Sequence, residues 1–365
     1  MINKTSEQKK TRKKININFL ARVSAKEKIF FLQNLKTMLK AGMSLGESLR
    51  VLSKQTQNVT FKKILTEITT DIEKGQSLST AMSRHSKHFS EIFINMISAG
   101  ETSGNLENIL EQLYIQTKKD HDLISKIRGA MTYPAVVLFA MVIMGFGMII
   151  FVFPTFIQIF EEANAELPFI TKILIAVSNF IQHHGIIAFV LTVAFAVGFS
   201  RGIKTKIGKK YFDLFLLKFF IIGPIVKKVN LARFARSLNS LLKTEIPLIK
   251  SFEITANVVG NTSYKEAINK AREEIKKGAA ISSSLEVYAN LFPSMLIQMI
   301  MVGEKSGTTD ELLGEIANYY EEEVDDTTRN LSSIIEPLMI LIIGAAVGLM
   351  AVAVMMPMYN LAQQY

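Results

Sequence analysis

Two stretches without a single charged residue constrain this chain more than any other feature of its sequence. Residues 134–153 and 337–358 are apolar almost throughout, and each is about 20 residues long. At 1.5 Å per residue, a helix of that length spans the ~30 Å hydrocarbon core of a bilayer. A third stretch, residues 174–199, is apolar in its second half but carries polar side chains in its first half. The sequence therefore predicts three transmembrane helices.

The basic residues predict how these helices are oriented. Lys126 and Arg128 precede the first span, and five basic residues lie between positions 201 and 210, after the second. The loop between these two spans has three glutamates and neither Lys nor Arg. Because Lys and Arg concentrate in cytoplasmic loops, we predict a cytoplasmic N-terminus and an external acidic loop. Beside such spans, the lysine-rich tail and the net charge of +10 favour acidic lipid as a partner over nucleic acid or an acidic protein.

The chain repeats itself at an offset of 203 residues. Gly75 corresponds to Gly278, and Phe31 corresponds to Phe234. The register continues without a gap through soluble and membrane parts, relating Leu35 to Leu238, Leu39 to Leu242, Phe89 to Phe292, Met96 to Met299 and Pro134 to Pro337. Such self-similarity indicates a duplicated unit of helical domain and membrane span.

The predicted fold class is all-α: a polytopic membrane protein with two repeated cytoplasmic helical-bundle domains and three transmembrane helices. Apolar residues recur at helical spacing, helices are expected at residues 61–74 and 91–98 and from Leu106 towards Arg128, and no stretch outside the spans alternates with period two. The aromatic segment 211–222 fits either a helix along the membrane interface or the start of an ordinary packed helix. The predicted organisation is a basic tail (1–26), first domain (27–130), first span (134–156), external acidic loop (157–170), second span (171–200), basic and amphipathic linker (201–228), second domain (229–333), third span (337–358) and external C-terminus (359–365).

The segment Gly-Glu-x-Ser-Gly occurs twice, at residues 100–104 and 303–307. Each copy is typical of a turn between two helices, in which the first glycine adopts a positive φ at a helix C-terminus. The predicted turn residues are Gly100, Ser103, Gly104, Gly303, Ser306 and Gly307. We expect the carboxylates of Glu101 and Glu304 to accept hydrogen bonds from backbone donors of the turn; the alternative is contact with a partner.

Five acidic residues lie between positions 321 and 326. A solvated, mutually repelling face is the usual explanation of such a run, and the alternative is a docking surface for a basic partner or a cation site. With the two turn carboxylates, the candidate partner-binding residues are Glu101, Glu304, Glu321, Glu322 and Asp325.

Small residues in the spans predict helix packing within or between chains. Gly344 and Gly348 are four residues apart, which permits close approach of two helices, and Gly348 corresponds to Gly145 in the first span. The adjacent His183 and His184 cannot both face one ligand on a helix, so no metal site is predicted there.

Several classes of function find no support in the sequence. There is no cysteine, phosphate-binding loop, dinucleotide-binding glycine motif, His-Glu-x-x-His zinc motif or Gly-x-Ser-x-Gly nucleophile motif. The centres of the spans carry no charged residue of the kind that a transporter or proton pump needs. We therefore predict a protein without enzymatic activity, cofactor or metal. A membrane transporter or channel subunit is kept as the alternative function, and a membrane-anchored adaptor as a third.

These features together resemble one family, the inner-membrane platform proteins of type II secretion systems (the F component) and type IV pili. The resemblance runs from about residue 27 to the end, and it is carried by the duplicated domain, the proline-capped spans, the acidic loop and the Gly-Glu-x-Ser-Gly segments preceded by Phe89 and Phe292. It implies a scaffold that binds a cytoplasmic hexameric ATPase, pilin or pseudopilin subunits and other inner-membrane assembly proteins. It also implies a homo-oligomer, with no nucleic-acid partner. ATP hydrolysis would belong to the ATPase, in agreement with the missing phosphate loop.

Overall fold

A computed structural model describes residues 23–152 and 169–362. Within these ranges the chain forms helices joined by short turns and contains no strand, which confirms the all-α fold class. The predicted basic tail as far as residue 22, the acidic loop as far as residue 168 and the last three residues lie outside the described part.

Six helices build the first copy of the repeat. They are α1 (Ala25–Lys40), α2 (Leu45–Gln55), α3 (Val59–Glu73), α4 (Leu78–Ser83), α5 (Glu91–Ser103) and α6 (Leu106–Gly147), followed by a π-helical turn (Met148–Val152). Short polar residues begin the helices, because their side chains accept hydrogen bonds from otherwise unpaired N–H groups. Ser44, Asn58 and Ser77 do so for α2, α3 and α4, and Ser24 forms a reciprocal capping box with Glu27.

Six further helices build the second copy: α9 (Gly223–Leu242), α10 (Leu248–Val258), α11 (Thr262–Lys276), α12 (Ile281–Glu286), α13 (Ser294–Ser306) and α14 (Thr309–Ala362). From α10 to α14, every helix begins 203 residues after its counterpart from α2 to α6, as Leu248 does after Leu45. Between the copies, the described residues form two helices, α7 (Phe169–Lys204) and α8 (Lys206–Lys218). The internal repeat predicted from the sequence is therefore a repeat of structure.

An aromatic cluster occupies the core of each domain. Phe31, Phe61 and Phe89 are buried in the first domain, and the ring centroids of Phe31 and Phe61 lie 5.7 Å apart in an edge-on arrangement. Phe234, Tyr264 and Phe292 occupy the equivalent positions in the second. The Tyr264 hydroxyl donates to the carbonyl of Leu291 at 2.8 Å, and burial raises the pKa of this hydroxyl. Each such ring pair contributes about 1 kcal/mol beyond the burial of apolar area.

Within the described residues, three helices are long and apolar enough to cross a membrane: Leu106–Gly147, His183–Lys204 and Thr309–Ala345. The first and third are single helices that run out of the soluble domains and pass through Pro134 and Pro337. The second belongs to α7, whose backbone departs from helical geometry at His184 (φ −127°). Each of the three predicted spans overlaps one of these helices, and the exact bounds of the spans stay predictions.

The contacts of the chain divide it into two compact units. The first comprises the described residues up to His121 together with Ser240–Pro247; the second comprises Asp122–Asn239 and the described residues from Leu248 onwards. The first unit therefore contains most of the first domain and the turn that follows α9. The second contains the spans and most of the second domain.

Candidate functional site

Each Gly-Glu-x-Ser-Gly segment lies where one helix ends and the long helix into the membrane begins. The left-handed residue is the last glycine of the segment, Gly104 (φ +70°) after α5 and Gly307 (φ +74°) after α13. The Gly104 N–H donates to the carbonyl of Gly100, and the next N–H, that of Asn105, donates to the same carbonyl at 3.0 Å. Both copies of the segment thus form a helix–turn–helix corner.

The prediction that Gly100 and Gly303 adopt a positive φ is wrong, because both glycines lie inside a helix. The helix predicted to end near residue 98 continues to Ser103. A Cβ atom at Gly100 would lie 2.6 Å from Cγ1 of Ile109, and one at Gly303 would lie 2.8 Å from Cα of Thr309. These glycines are needed because the following helix packs directly against them.

The carboxylates of Glu101 and Glu304 cap short helices that precede them in the chain. Glu101 accepts hydrogen bonds from the N–H groups of Leu78 and Ser79 and from the Ser79 hydroxyl (2.5 Å), all at the start of α4. Glu304 does the same for α12, where Ile281 and Ser282 donate their N–H groups and the Ser282 hydroxyl lies at 2.6 Å. The predicted acceptor role is therefore observed, but the donors belong to a distant helix start and not to the turn itself. A partner contact through either carboxylate stays a prediction.

The two caps differ in one respect. In the first domain the hydroxyl of Ser77 accepts a further bond from the N–H of Thr80 at 3.2 Å, so that two side chains share the orphan donors of α4. The equivalent N-cap of α12 is Ala280, whose side chain makes no capping bond. Glu304 therefore carries more of the capping in its domain than Glu101 does.

The acidic run on α14 is largely engaged in ion pairs within the chain. Glu321 is buried against Arg236 of α9, with Nε and Oε1 2.8 Å apart. Glu323 pairs with Lys228 at 2.5 Å, and Asp325 pairs with Lys126 of α6 at 3.0 Å. The prediction of a solvated, mutually repelling face is therefore wrong for these three residues. Arg236, Lys228 and Lys126 lie on other helices, and their pairing with the acidic run was not predicted from the sequence.

Two of the predicted partner-binding residues on α14 differ in their surroundings. The hydrogen bond from Lys126 and the nearby charges of Lys126 and Arg329 hold the pKa of Asp325 below its ordinary value, and Arg329 lies 3.1 Å away. Glu322 is exposed. Among the candidates on this helix, Glu322 is the one whose side chain faces solvent.

The glycines of the spans have open surroundings in the described part of the chain. No atom outside its own helix lies within 4 Å of a Cβ built at Gly145, Gly344 or Gly348. Their role in helix packing stays a prediction. Among the described residues, no group of three or more His, Cys, Asp or Glu side chains is placed to hold a metal ion.

A polar groove of about 440 Å³ in the first unit was not predicted from the sequence. Ser103 and Asn105 of the α5–α6 corner line it together with Thr244 and Glu245 of the turn after α9. Glu245 has a positive φ of +58°, whereas the residue 203 positions earlier is Gly42 at +84°. The repeat register, in which a glutamate replaces a glycine, is the sequence signal that could have indicated this strained residue.

Comparison with known proteins agrees with this architecture. The sequence model of type II secretion system (T2SS) protein F matches residues 31–154 and 234–357, one match for each copy of the repeat. The type IV pilus assembly protein PilC of Thermus thermophilus is 34% identical over 336 residues, which cover 92% of this chain and 82% of the relative. TapC of Aeromonas hydrophila, also a type IV pilus assembly protein, is 35% identical over 90% of this chain and 80% of its own length. The type II secretion system protein F of Pseudomonas aeruginosa is 28% identical over 95% and 85%, respectively.

These matches confirm the resemblance noted from the sequence, and they extend over both domains and the spans. The matched segments reproduce the 203-residue offset at which the helices repeat. This chain therefore belongs to the family of type II secretion system protein F.

Proposed function

We propose that this protein is the inner-membrane platform of a type IV pilus or type II secretion machine. In that role it couples a cytoplasmic assembly ATPase to the extraction and polymerisation of pilin or pseudopilin subunits. The names of its relatives support this role, since they refer to type IV pilus assembly and type II secretion. They give no support to the alternative of a transporter or channel subunit.

One structural observation carries the proposal: each soluble domain continues into a membrane span through a single helix. These helices, α6 and α14, contain 42 and 54 residues. At 1.5 Å per residue they extend about 60 and 80 Å, which is longer than a bilayer is thick. A displacement applied to a soluble domain would therefore be passed along a hydrogen-bonded helix and not absorbed by a loop.

Ion pairs support this coupling where α14 leaves its domain. The buried pair Glu321–Arg236 joins α14 to α9, and the pair Asp325–Lys126 joins α14 to α6. Both pairs lie within 16 residues of Pro337 along α14. Removing one partner of such a buried pair costs about 3–5 kcal/mol, because the other charge is left buried and unpaired.

The platform would have no ATPase activity of its own, since the sequence contains no phosphate-binding loop. We expect the full-length protein in lipid nanodiscs to bind the cognate ATPase without hydrolysing ATP. Exposed Glu322 is our candidate contact, so Glu322→Lys should weaken binding. The matched control Glu311→Lys changes an exposed glutamate near the start of the same helix and should not.

Three outcomes would contradict the proposal. Turnover of ATP by the purified protein would refute the scaffold role. Normal pilus assembly or secretion in cells that lack the gene would refute the platform role. Equal effects of the two glutamate variants would remove Glu322 as the contact.

The proposed orientation places both soluble domains in the cytoplasm. The chain has no cysteine, so single-cysteine variants provide clean probes. Ala163→Cys lies in the loop predicted to be external, and Val287→Cys lies in the second domain at a position that is 78% exposed. A membrane-impermeant maleimide should label the first variant and not the second once the outer barrier has been opened. The opposite labelling would reverse the topology.

A further inference from the structure

Helix α8 presents an unusual row of exposed apolar side chains. Ile207, Tyr211, Leu214 and Phe215 are between 41% and 73% exposed, and they follow helical spacing along one face. The row continues beyond the helix into Phe219 (41% exposed) and Phe220 (90% exposed). Contiguous apolar surface of this kind marks an interaction site, because exposing it to water is unfavourable.

The opposite face of α8 fixes the direction in which this row points. Asp213 is buried, and its Oδ2 accepts hydrogen bonds from the N–H (2.8 Å) and the hydroxyl (2.6 Å) of Thr262, the first residue of α11. The carbonyl of Asp213 accepts a third bond from the side chain of Asn261 at 3.1 Å. Leu217, one turn further on, is also buried. The polar clamp thus holds one side of α8 against the second domain and leaves the aromatic side uncovered.

A tight corner connects α8 to the second span. The span ends at Lys204, and α8 begins at Lys206. A Cβ atom at Gly208 would lie 2.0 Å from the carbonyl oxygen of Gly202, so only glycine fits the corner. Two residues reach at most about 7 Å, and the start of α8 is therefore held at the level where the chain leaves the bilayer.

Basic residues surround the apolar row. Lys206, Lys209 and Lys218 on α8 are exposed, as are Arg201 and Lys204 at the end of the span. An exposed aromatic face flanked by lysines is the pattern of helices that lie in the membrane interface, where the rings enter the boundary of the acyl chains and the cations meet anionic headgroups. Charge complementarity and the short tether both indicate the bilayer as the occupant of this face.

We propose that α8 is an interfacial helix that inserts Ile207, Tyr211, Leu214 and Phe215 into the bilayer and recruits anionic phospholipids through Lys206, Lys209 and Lys218. Through the Asp213 clamp, this contact fixes the second domain against the membrane surface. The platform would then receive force from a domain that is held at the bilayer by its lipids as well as by its spans.

Tryptophan fluorescence tests this proposal in the full-length protein. The chain contains no tryptophan, so Phe215→Trp introduces a single fluorophore with little change in shape. The matched control is Val287→Trp, at a position of the second domain that is 78% exposed. In nanodiscs made with brominated phosphatidylcholine, we expect quenching of about twofold for Phe215→Trp and almost none for the control.

A second arm tests the choice of lipid. Nanodiscs of equimolar phosphatidylcholine and phosphatidylglycerol are prepared with bromine on one lipid or on the other. We expect stronger quenching of Phe215→Trp when phosphatidylglycerol carries the bromine, and we expect this difference to vanish when Lys206, Lys209 and Lys218 are all replaced by Gln.

Two outcomes of these quenching experiments would contradict the proposal. Emission from Phe215→Trp that does not change with brominated lipid would mean that protein, such as a second copy of this chain, covers the face, and it would overturn the proposal. Equal quenching by the two lipids in the protein with all three lysines would overturn the recruitment of anionic lipid.

Discussion

Replacing the two glycines of the α5–α6 corner separates two physical reasons for the presence of glycine. Gly104 has a left-handed backbone with open space around it, so a side chain is disfavoured there by conformation alone. Alanine at such a position costs about 1–2 kcal/mol, and asparagine costs less because its short polar side chain tolerates this conformation. We therefore expect Gly104→Asn to be milder than Gly104→Ala.

The opposite order is expected at Gly100. Its backbone is helical, which favours alanine by about 1 kcal/mol, but the new Cβ would lie 2.6 Å from Ile109. Overpacking of this kind costs about 1–3 kcal/mol, so the net cost of Gly100→Ala is about 1 kcal/mol. Asparagine adds more atoms and a buried amide, for a cost of about 3 kcal/mol or more.

Urea unfolding of a soluble fragment spanning residues 23–126, followed by circular dichroism, measures these four variants. The two positions should rank alanine and asparagine in opposite orders. If Gly100→Asn proved milder than Gly100→Ala, Gly100 would have to be the left-handed residue, and the corner geometry described above would be refuted.

Three further predictions concern the caps, the strained turn and pH. Glu304→Gln should destabilise the second domain by about 2 kcal/mol, since an amide NH₂ cannot accept from the helix N–H groups. This loss should exceed the loss that Glu101→Gln causes in the first domain. Urea unfolding of each variant, followed by hydrogen exchange in the affected domain, measures both losses, and equal losses would contradict the expected order. Glu245→Gly should stabilise the first unit by about 1 kcal/mol, because glycine, present at Gly42 in the other copy, relieves the positive φ; a lower melting temperature would contradict this reason. Desolvation, and to a lesser extent the charge of Lys28, lowers the pKa of His88 below 6.5 in the folded state. Stability should therefore fall as the pH drops below about 6.5, because the unfolded chain then binds the proton more readily. His88→Gln should flatten that part of a melting-temperature profile measured between pH 5 and 8.

In the two Gly-Glu-x-Ser-Gly corners, the sequence predicts the turn but not which glycine is left-handed. The sequence identified the segments at residues 100–104 and 303–307, and it predicted a helix–turn–helix corner in each. It placed the left-handed glycine at the start of the segment, whereas Gly104 and Gly307 are the left-handed residues. Both glycines of a segment satisfy the same local preference, and only the approach of the following helix assigns close packing to the first and the turn to the last.

The ion pairs of the acidic run could not be predicted from the sequence either. From the sequence, consecutive carboxylates on a helix were expected to repel one another in solvent. In the fold, Glu321, Glu323 and Asp325 each meet a cation from a different part of the chain. Those cations are between 85 and 199 residues away in sequence, so no local pattern could have paired them.

The sequence by itself determined the helical class, the three membrane-spanning helices, the duplication at an offset of 203 and the family. Each of these is a linear pattern: an uncharged run as long as a bilayer is thick, an apolar period, or a constant offset between copies. Only the tertiary structure decided that Glu101 and Glu304 cap helices 22 and 23 residues before them, that the acidic run is paired, and that α8 turns its aromatic side outward. These arrangements depend on which groups the packing of helices brings within hydrogen-bond distance. Contacts between residues that are far apart in the sequence arise only in the folded chain, and no repeating sequence pattern predicts them.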